Sequence, residues 1–444
     1  MELSYLNEPL PKIDKRLFFL VLLVTLGATF ALYEFPVYFA GLIAVILFLA
    51  GVYNLPELGI AVLVNGLFLV GFFWRGLQIT YLVTPLAVVL CTVGLTHYVL
   101  NHGLKWRFGV LPGIVLLIGV MLFMGILYSP LPSQGLVKAG RYLSMNLYIF
   151  FATMLFIGDL NKLKNLLKVI AFSGFVLATI SAIYIGFVGI ETISRFTLPG
   201  QNPIWFSRTL GMSLLATLFL LELSKKRVER FIYLSFIPIM LFLIYTAASR
   251  GPALALLITL FFYFFFLQRK RFGFFKKALF VLLILVSLRL SAVIAPEGIW
   301  NRMVNLFSGF DLTTFYRLRA FEAAKNLFLE NPLKGVGTGG FGHFNVLSYP
   351  HNIFLELASE FGVLGVLVVI ILFVYAAYLG IKLLKNQNAS ALELNLSKTF
   401  FALFIFSLVN SQFSGAIYGN YELWFAMAGI WTLYSTRYLV SQIR

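Results

Sequence analysis

Residues 231–268 read FIYLSFIPIMLFLIYTAASRGPALALLITLFFYFFFLQ. Two apolar runs, 231–248 and 252–268, are separated by Ser249, Arg250 and Gly251, and the stretch contains no charged residue other than the arginine. A run of about 20 apolar residues is long enough to cross a bilayer as a helix, and neither run alternates with the period of two that barrel strands require. The stretch therefore predicts two transmembrane helices joined by a short polar turn.

The rest of the chain has the same character. Of its 444 residues, 60% are hydrophobic and 11% are charged, whereas a soluble domain has about 25% charged residues. We therefore predict an all-α fold, a polytopic transmembrane helical bundle of twelve to fourteen spans, as one integral membrane domain over residues 1–444. Candidate spans lie near 17–33, 37–53, 57–74, 79–99, 108–128, 142–158, 167–188, 204–222, 231–248, 252–268, 278–296, 352–380, 397–414 and 422–440.

The distribution of Lys and Arg predicts the orientation. The dense clusters KKRVER (225–230) and RKRFGFFKK (269–277) fall on one side of the predicted membrane, which the positive-inside rule makes cytoplasmic. The long loop 297–351 then faces the periplasm. The net charge of +17 arises from short clusters between apolar runs, so we do not predict a nucleic-acid partner.

The loop 297–351 is much longer than the other connections, and loops of this length are usually functional. Within it, TTFYRLRAFEAAKNLFLENP (313–332) predicts an amphipathic helix that ends at Asn331-Pro332. We expect its apolar face to contain Phe315, Leu318, Phe321, Ala324 and Phe328. A glycine-rich turn, GVGTGGFG (335–342), follows.

Arginines on the outer side are informative because they run against the positive-inside rule. Pro252 is well placed as the first helical residue after Arg250, and a helix N-terminus beside a guanidinium suits a phosphate or pyrophosphate. An arginine snorkelling to the membrane interface would give the same pattern. Further candidates for this anion site, each equally compatible with an interface residue, are Arg195, Arg208, Lys138 and Arg141.

His351 is the best candidate for proton transfer. It follows Pro350 at the start of a long apolar helix, for which Ser348 is a plausible N-cap, and a helix N-terminus favours the neutral imidazole. A histidine that caps the helix or faces the interface is the alternative, and His343 in the same loop is a rival. Residues predicted to support the site are Asn352, Ser249 and Tyr349.

The acidic residues do not suggest a metal site. The chain has only three aspartates, of which Asp311 alone faces outward, and the outer glutamates are scattered. Glu356 and Glu360 lie on the helix that His351 precedes and can approach the same space. Because a divalent-metal site needs clustered oxygen ligands, we predict no metal and no other cofactor.

These motifs resemble the O-antigen ligase / O-antigen polymerase superfamily of bacterial inner membranes. The resemblance is carried by the SRG turn between two spans, by NPLKGVGTGGF (331–341) in the large loop, and by PHNIFLELASEFGVLG (350–365). It is specific over about 245–370 and weaker over 195–210.

The resemblance implies a metal-independent, inverting glycosyltransferase in the inner membrane whose active site faces the periplasm. It would transfer a glycan en bloc from an undecaprenyl-pyrophosphate donor to an acceptor hydroxyl. His351 would accept or orient the acceptor proton, and Arg250, with Arg195 or Arg208, would bind the pyrophosphate. Its partners would be the lipid-linked donor, the glycan acceptor and membrane lipids.

The acceptor distinguishes the remaining functions. A single compact outer loop slightly favours an O-antigen ligase, which uses lipid A core, over a polymerase, which uses another lipid-linked glycan. A lipid-glycan flippase is the non-enzyme alternative. It would need ionisable groups buried within the spans, of which the predicted spans contain few.

Overall fold

The computed structural model of the chain describes residues 56–61, 64–65, 108–189, 195–198, 201–268, 289 and 312–438. These residues form helices joined by turns, and none of them forms a strand, which confirms the predicted all-α class. The predicted spans 17–33, 37–53 and 79–99 lie wholly outside the described residues, 278–296 does so except for residue 289, and 57–74 does so in part.

The helices follow one another closely along the described parts of the chain. They are α1 (Pro56–Ala61), α2 (Val110–Ile126), α3 (Pro132–Arg141), α4 (Tyr148–Phe156), α5 (Leu160–Val188), α6 (Pro203–Leu223), α7 (Arg227–Thr246), α8 (Arg250–Phe262), α9 (Leu312–Glu330), α10 (Phe341–Phe344), α11 (Ile353–Leu384), α12 (Ala391–Asn410) and α13 (Tyr421–Tyr438). One π-helical segment, Tyr142–Leu147, joins α3 to α4, and another, Tyr263–Leu267, extends α8.

Six helices in the described part of the chain are long and apolar enough to cross a membrane. They are Leu160–Val188, Pro203–Leu223, Arg227–Thr246, Arg250–Leu267, Ile353–Leu384 and Ala391–Asn410. Each coincides with a predicted span, so the polytopic character is confirmed. The predicted boundaries need one notable correction, because α8 begins at Arg250 and not at Pro252.

The centre of the bundle is α6, which is buried along most of its length and packs against α5, α7, α8 and α12. Glycines allow the helices to approach closely where an aromatic ring crosses. A Cβ atom on Gly211 would lie 2.4 Å from the ring of Phe406 on α12, and Gly429 of α13 meets Phe400 in the same way. Small residues at such crossings are typical of helix packing in membranes, where van der Waals contact replaces the hydrophobic effect.

Helix α11 is broken at Gly362, whose φ of 62° and ψ of −150° are not helical. The break exposes backbone carbonyls that the preceding loop satisfies. Val336 N donates to Ser359 O at 3.0 Å, and Gly337 N donates to Glu360 O at 2.9 Å. The glycine-rich turn therefore fixes the first segment of α11, the segment that follows His351.

Helix α9 confirms the predicted helix in the outer loop, but its predicted apolar face is wrong in part. Phe315 and Leu318 are exposed, and the face that packs on the rest of the protein is formed by Ala320, Ala324 and Leu327. Small alanines let α9 lie close to α11, which it contacts. The bulky side chains then point away from the protein.

Candidate active site

The candidate catalytic histidine lies in a fixed turn before α11. Asn352 is the N-cap, since its Oδ1 accepts hydrogen bonds from Phe354 N and Leu355 N, each at 3.0 Å. Ser348, the predicted N-cap, does not have this role. His351 has a φ of 59°, a left-handed conformation that costs a non-glycine residue about 1–3 kcal/mol and is often found at functional sites.

A second loop holds the same turn from the other side. Ile353 N donates to Ser411 O at 3.1 Å, and Asn352 Nδ2 donates to Gln412 O at 3.3 Å. The loop between α12 and α13 therefore supports the backbone on both sides of Asn352. His351 is presented from a turn that both neighbouring segments constrain.

The imidazole of His351 is half-buried and neutral. Burial, and after it the positive charges of Arg317 and Arg208, lower the pKa of His351 from 6.5 to about 4. The ring lies 4.5 Å from that of Tyr349, measured between centroids. Its Nδ1 atom is buried and makes no hydrogen bond within the described residues. At neutral pH the imidazole is therefore unprotonated, the state that a general base requires.

Arg250 and Arg195 are brought together by a tight turn between α7 and α8. In this turn Ala248 has a φ of 47°, and α8 begins at Arg250 without a side-chain cap. The segment 195–198 lies against the turn: Arg195 Nε donates to Ala247 O at 3.1 Å, and Phe196 N donates to Thr246 O at 2.9 Å.

The same turn contacts the loop that supports α11. A Cβ atom on Gly251 would lie 2.9 Å from the Cβ atom of Phe413, the residue after Gln412. The turn at Arg250, the loop 411–420 and the turn at His351 thus lie at one end of the bundle, which we call the site end.

Arg208 also lies at the site end, but it is buried and its charge is balanced. It forms an ion pair with Glu422, at 2.7 Å between Nη1 and Oε1. Its Nη2 donates to Ser414 O at 2.7 Å and to Asn410 O at 3.3 Å. These contacts give Arg208 a structural task, tying α6 to the loop between α12 and α13.

Lys138 occupies a comparable position on α3. It is buried and forms ion pairs with the fully buried Glu356 and, at 2.6 Å, with Glu360, both on the first segment of α11. The sequence placed these glutamates near His351 but gave no sign that a lysine 222 residues from Glu360 would neutralise them. Arg141, one helical turn after Lys138, is exposed and lies over the ring of Tyr418 at 5.3 Å.

Lys138, Glu356 and Tyr349 line a cavity of about 270 Å³ beside His351. Its remaining lining residues come from α3, the glycine-rich turn, the turn before α11 and the loop before α13; they are Ser133, Gln134, Val137, Gly339, Ser348, Ala416 and Tyr418. We call this space the tyrosine pocket, after Tyr349 and Tyr418.

The sequence did not single out Arg317, which is half-buried on α9. Its positive charge lowers the pKa of His351 and opposes the rise that burial causes in the pKa of Tyr349. The one available signal was that Arg317 is a positive charge in the outer loop, where the positive-inside rule disfavours it. The rival histidine, His343, is exposed and lies in α10. Within the described residues, no three His, Cys, Asp or Glu side chains are grouped as a metal site would require.

A comparison with known protein families finds a match for the segment that contains many of the residues described above. The family model described as O-antigen ligase matches residues 234–370, which include Arg250, Arg317 and His351. Over residues 234–370 the chain is therefore similar to the O-antigen ligase family. The resemblance drawn from the SRG and PHN motifs is thereby confirmed, and it supports a multi-pass membrane enzyme that joins or polymerises glycans. The search of curated proteins found no match to the chain.

Proposed function

We propose that the chain transfers a glycan en bloc from an undecaprenyl-pyrophosphate donor to an acceptor hydroxyl, as an inverting, metal-independent O-antigen ligase of the bacterial inner membrane. The observation that carries this proposal is the placement of a half-buried, neutral His351 at the same end of the bundle as Arg195 and Arg250. In this proposal the site end faces the periplasm, where the assembled donor glycan is available.

His351 is the general base. The acceptor hydroxyl oxygen attacks the anomeric carbon of the donor sugar while the bond from that carbon to the pyrophosphate oxygen breaks. The hydroxyl proton passes to the imidazole, and the lipid pyrophosphate leaves with its electron pair. A base with a low pKa is a weak proton acceptor. The negative charge of the bound pyrophosphate stabilises the imidazolium, so it raises the pKa of His351 and makes the histidine a stronger base.

Arg250 and Arg195 bind the pyrophosphate in this mechanism. Both lie at the turn between α7 and α8, and the amide groups of an uncapped helix N-terminus add further donors. Guanidinium groups placed at the leaving group stabilise the charge that develops on it. Arg195 is assigned this role because it contacts the turn that carries Arg250, whereas Arg208 is buried in an ion pair with Glu422. It supports the site by holding the loop 411–420.

Substitution of the histidine tests the proposal. We expect His351→Ala to reduce glycan transfer by about 10²- to 10⁴-fold, the contribution typical of a general base, in purified chain reconstituted into liposomes with a lipid-linked glycan. Binding of the donor should persist. His343→Ala is the matched control and should retain the full rate. Full transfer by His351→Ala would remove His351 as the base.

A competition between acceptors tests the choice of ligase over polymerase. One lipid-linked glycan is supplied as donor, together with lipid A core and a second, distinguishable lipid-linked glycan. The ligase proposal predicts that the product forms on lipid A core. Chain extension on the lipid-linked glycan would instead make the protein a polymerase of surface polysaccharide.

A further inference from the structure

Resting on the proposed function, we propose that the tyrosine pocket is the subsite for the acceptor sugar and that it selects an uncharged ring. The pocket lies between α3 and the turn before α11, and no step assigned above uses it. Its lining combines aromatic rings, hydroxyl and amide groups in a volume of about 270 Å³.

Two tyrosines supply the apolar surfaces that a sugar ring requires. Tyr349 and Tyr418 both line the pocket, and their ring centroids are 6.5 Å apart with the planes nearly perpendicular. The C–H face of a pyranose packs on aromatic rings, whose electron-rich faces attract it. Arg141 covers Tyr418 from one side and holds that ring in place.

Polar side chains supply the hydrogen bonds. Three polar residues line the pocket and are exposed, namely Ser133, Gln134 and Ser348. Their side chains are therefore accessible to a ligand. Hydroxyl and amide groups both donate and accept hydrogen bonds. This versatility matches the hydroxyl groups of a sugar, each of which also donates and accepts.

The charge of the pocket argues against a phosphorylated or acidic sugar. Its lysine, Lys138, is already balanced by Glu356 and Glu360, and Glu356 itself lines the cavity. An anion entering here would meet a carboxylate and a cation whose partners are fixed. Anion sites are built from cations and amide donors that remain available. The pocket therefore suits a neutral ring.

The order of contacts assigns the pocket to the acceptor and not to the donor. From the pocket, Tyr349 contacts His351, Asn352 contacts Gln412, and the next residue, Phe413, packs on the turn that carries Arg250. His351 thus lies between the pocket and the proposed pyrophosphate site. In a displacement with inversion, the attacking hydroxyl and the leaving group occupy opposite sides of the anomeric carbon, so the nucleophile belongs on the pocket side.

Steady-state kinetics of the reconstituted full-length chain test this assignment. With donor saturating, we expect Tyr418→Ala to raise the KM for lipid A core by about tenfold or more, the loss expected for a buried aromatic contact. Tyr418→Phe, which keeps the ring, should change the acceptor KM less than about threefold. The KM for the lipid-linked donor should stay unchanged in both variants. Tyr378→Ala, at an exposed tyrosine in the second segment of α11, is the control.

A binding measurement separates this inference from the proposed function. Saturation-transfer NMR, without donor, uses deacylated lipid A core oligosaccharide before and after removal of its phosphates. The dephosphorylated form should bind the wild-type chain at least as well as the phosphorylated form, and Tyr418→Ala should abolish its signal. Binding without any transfer would overturn the proposed function and, with it, the acceptor role, and would leave the pocket as a site that binds a neutral sugar. Transfer with an unchanged acceptor KM in Tyr418→Ala, or a rise in the donor KM alone, would overturn the pocket assignment.

Discussion

At the scale of single residues, His351 combines three properties that are consistent with a functional site. It has a left-handed backbone, a half-buried ring and a lowered pKa. The N-cap of Asn352 and the hydrogen bond from Ile353 to Ser411 hold this turn in place, so the rest of the protein stabilises the strained backbone. Backbone strain of this kind is expected where the reaction depends on the position of the imidazole.

The pKa of His351 leads to a pH prediction. In the free protein the imidazole stays neutral down to a pH near its pKa of about 4, so the acid limb of kcat/KM should lie well below the value of about 6.5 for an ordinary histidine. A bound pyrophosphate raises the pKa, so the acid limb of kcat should lie at higher pH than that of kcat/KM.

Rates measured from about pH 3 to 8 on the reconstituted chain, a range that includes the expected acid limb of kcat/KM, check this difference. Because the unfolded chain binds a proton to this histidine below about pH 6.5 while the folded chain does not, the folded state loses stability as pH falls from about 6.5 towards 4. Each assay must therefore confirm that the chain remains folded and monodisperse. Acid limbs at one common pH in both profiles would contradict the prediction.

Lys138 gives a stability prediction at the same scale. Replacing it with methionine leaves Glu356 and Glu360 buried without their cation, and breaking a buried ion pair in this way costs about 3–5 kcal/mol. We expect Lys138→Met to lower the thermal midpoint of the detergent-solubilised chain markedly. Lys325→Met, at an exposed position on α9, should change the free energy of unfolding by no more than about 0.5 kcal/mol. Equal midpoints for both variants would argue against a structural role for the ion pairs.

At the scale of elements, the glycine-rich turn and the break in α11 form one structural unit. Gly335 has a φ of 64°, and a Cβ atom there would lie 2.2 Å from the carbonyl carbon of Glu360. The motif GVGTGGF is therefore explained by backbone packing, with its amide groups bonded to α11 and α2. The sequence alone did not predict a specific role for this motif.

We expect Gly335→Ala to destabilise the chain severely. The left-handed conformation alone costs alanine about 1–2 kcal/mol, and the clash with α11 adds to this because backbone atoms cannot move aside. Expression and thermal midpoint in detergent measure the effect. Gly140→Ala on α3 is the control, since a Cβ atom there meets nothing within 4 Å and alanine favours a helix by about 1 kcal/mol over glycine. A Gly335→Ala variant as stable as wild type would refute this account of the turn.

Local patterns in the sequence were sufficient to predict most of the described elements. Apolar runs located the spans, and Asn331-Pro332 marked the end of α9, because these features depend on neighbouring residues. The face of α9 that packs was predicted correctly at Ala324 and wrongly at Phe315 and Leu318. Hydrophobicity pointed to those two bulky residues, whereas close packing selected Ala320. The pairing of Arg208 with Glu422 was not predictable, because it depends on helices distant in sequence.

At the scale of the whole molecule, the charges at the site end fall into two groups. The buried carboxylates of Glu356, Glu360 and Glu422 in the described part of the chain are each paired with Lys138 or Arg208. Arg317 on α9 and Arg208 act on His351, whereas Arg250 begins α8 and Arg195 contacts the turn before it. Buried ion pairs thus balance charge inside the protein, and in the proposed function the guanidinium groups of Arg195 and Arg250 bind the pyrophosphate.

This division of charge predicts the response to metal removal. A divalent cation needs several oxygen ligands that are not already engaged, and the three buried glutamates at the site end are committed to cations of the chain itself. We therefore assign charge stabilisation of the leaving pyrophosphate to guanidinium groups and expect EDTA to leave the initial rate of transfer unchanged. The measurement uses reconstituted chain and lipid-linked donor, both treated with chelator before mixing, with added Mg²⁺ or Mn²⁺ as the comparison.

Arg250→Ala should reduce transfer under either condition, and added metal should not restore it. A rate that falls to background in EDTA and returns with Mg²⁺ would show that a metal ion carries this charge, and the role assigned to Arg195 and Arg250 would then be wrong.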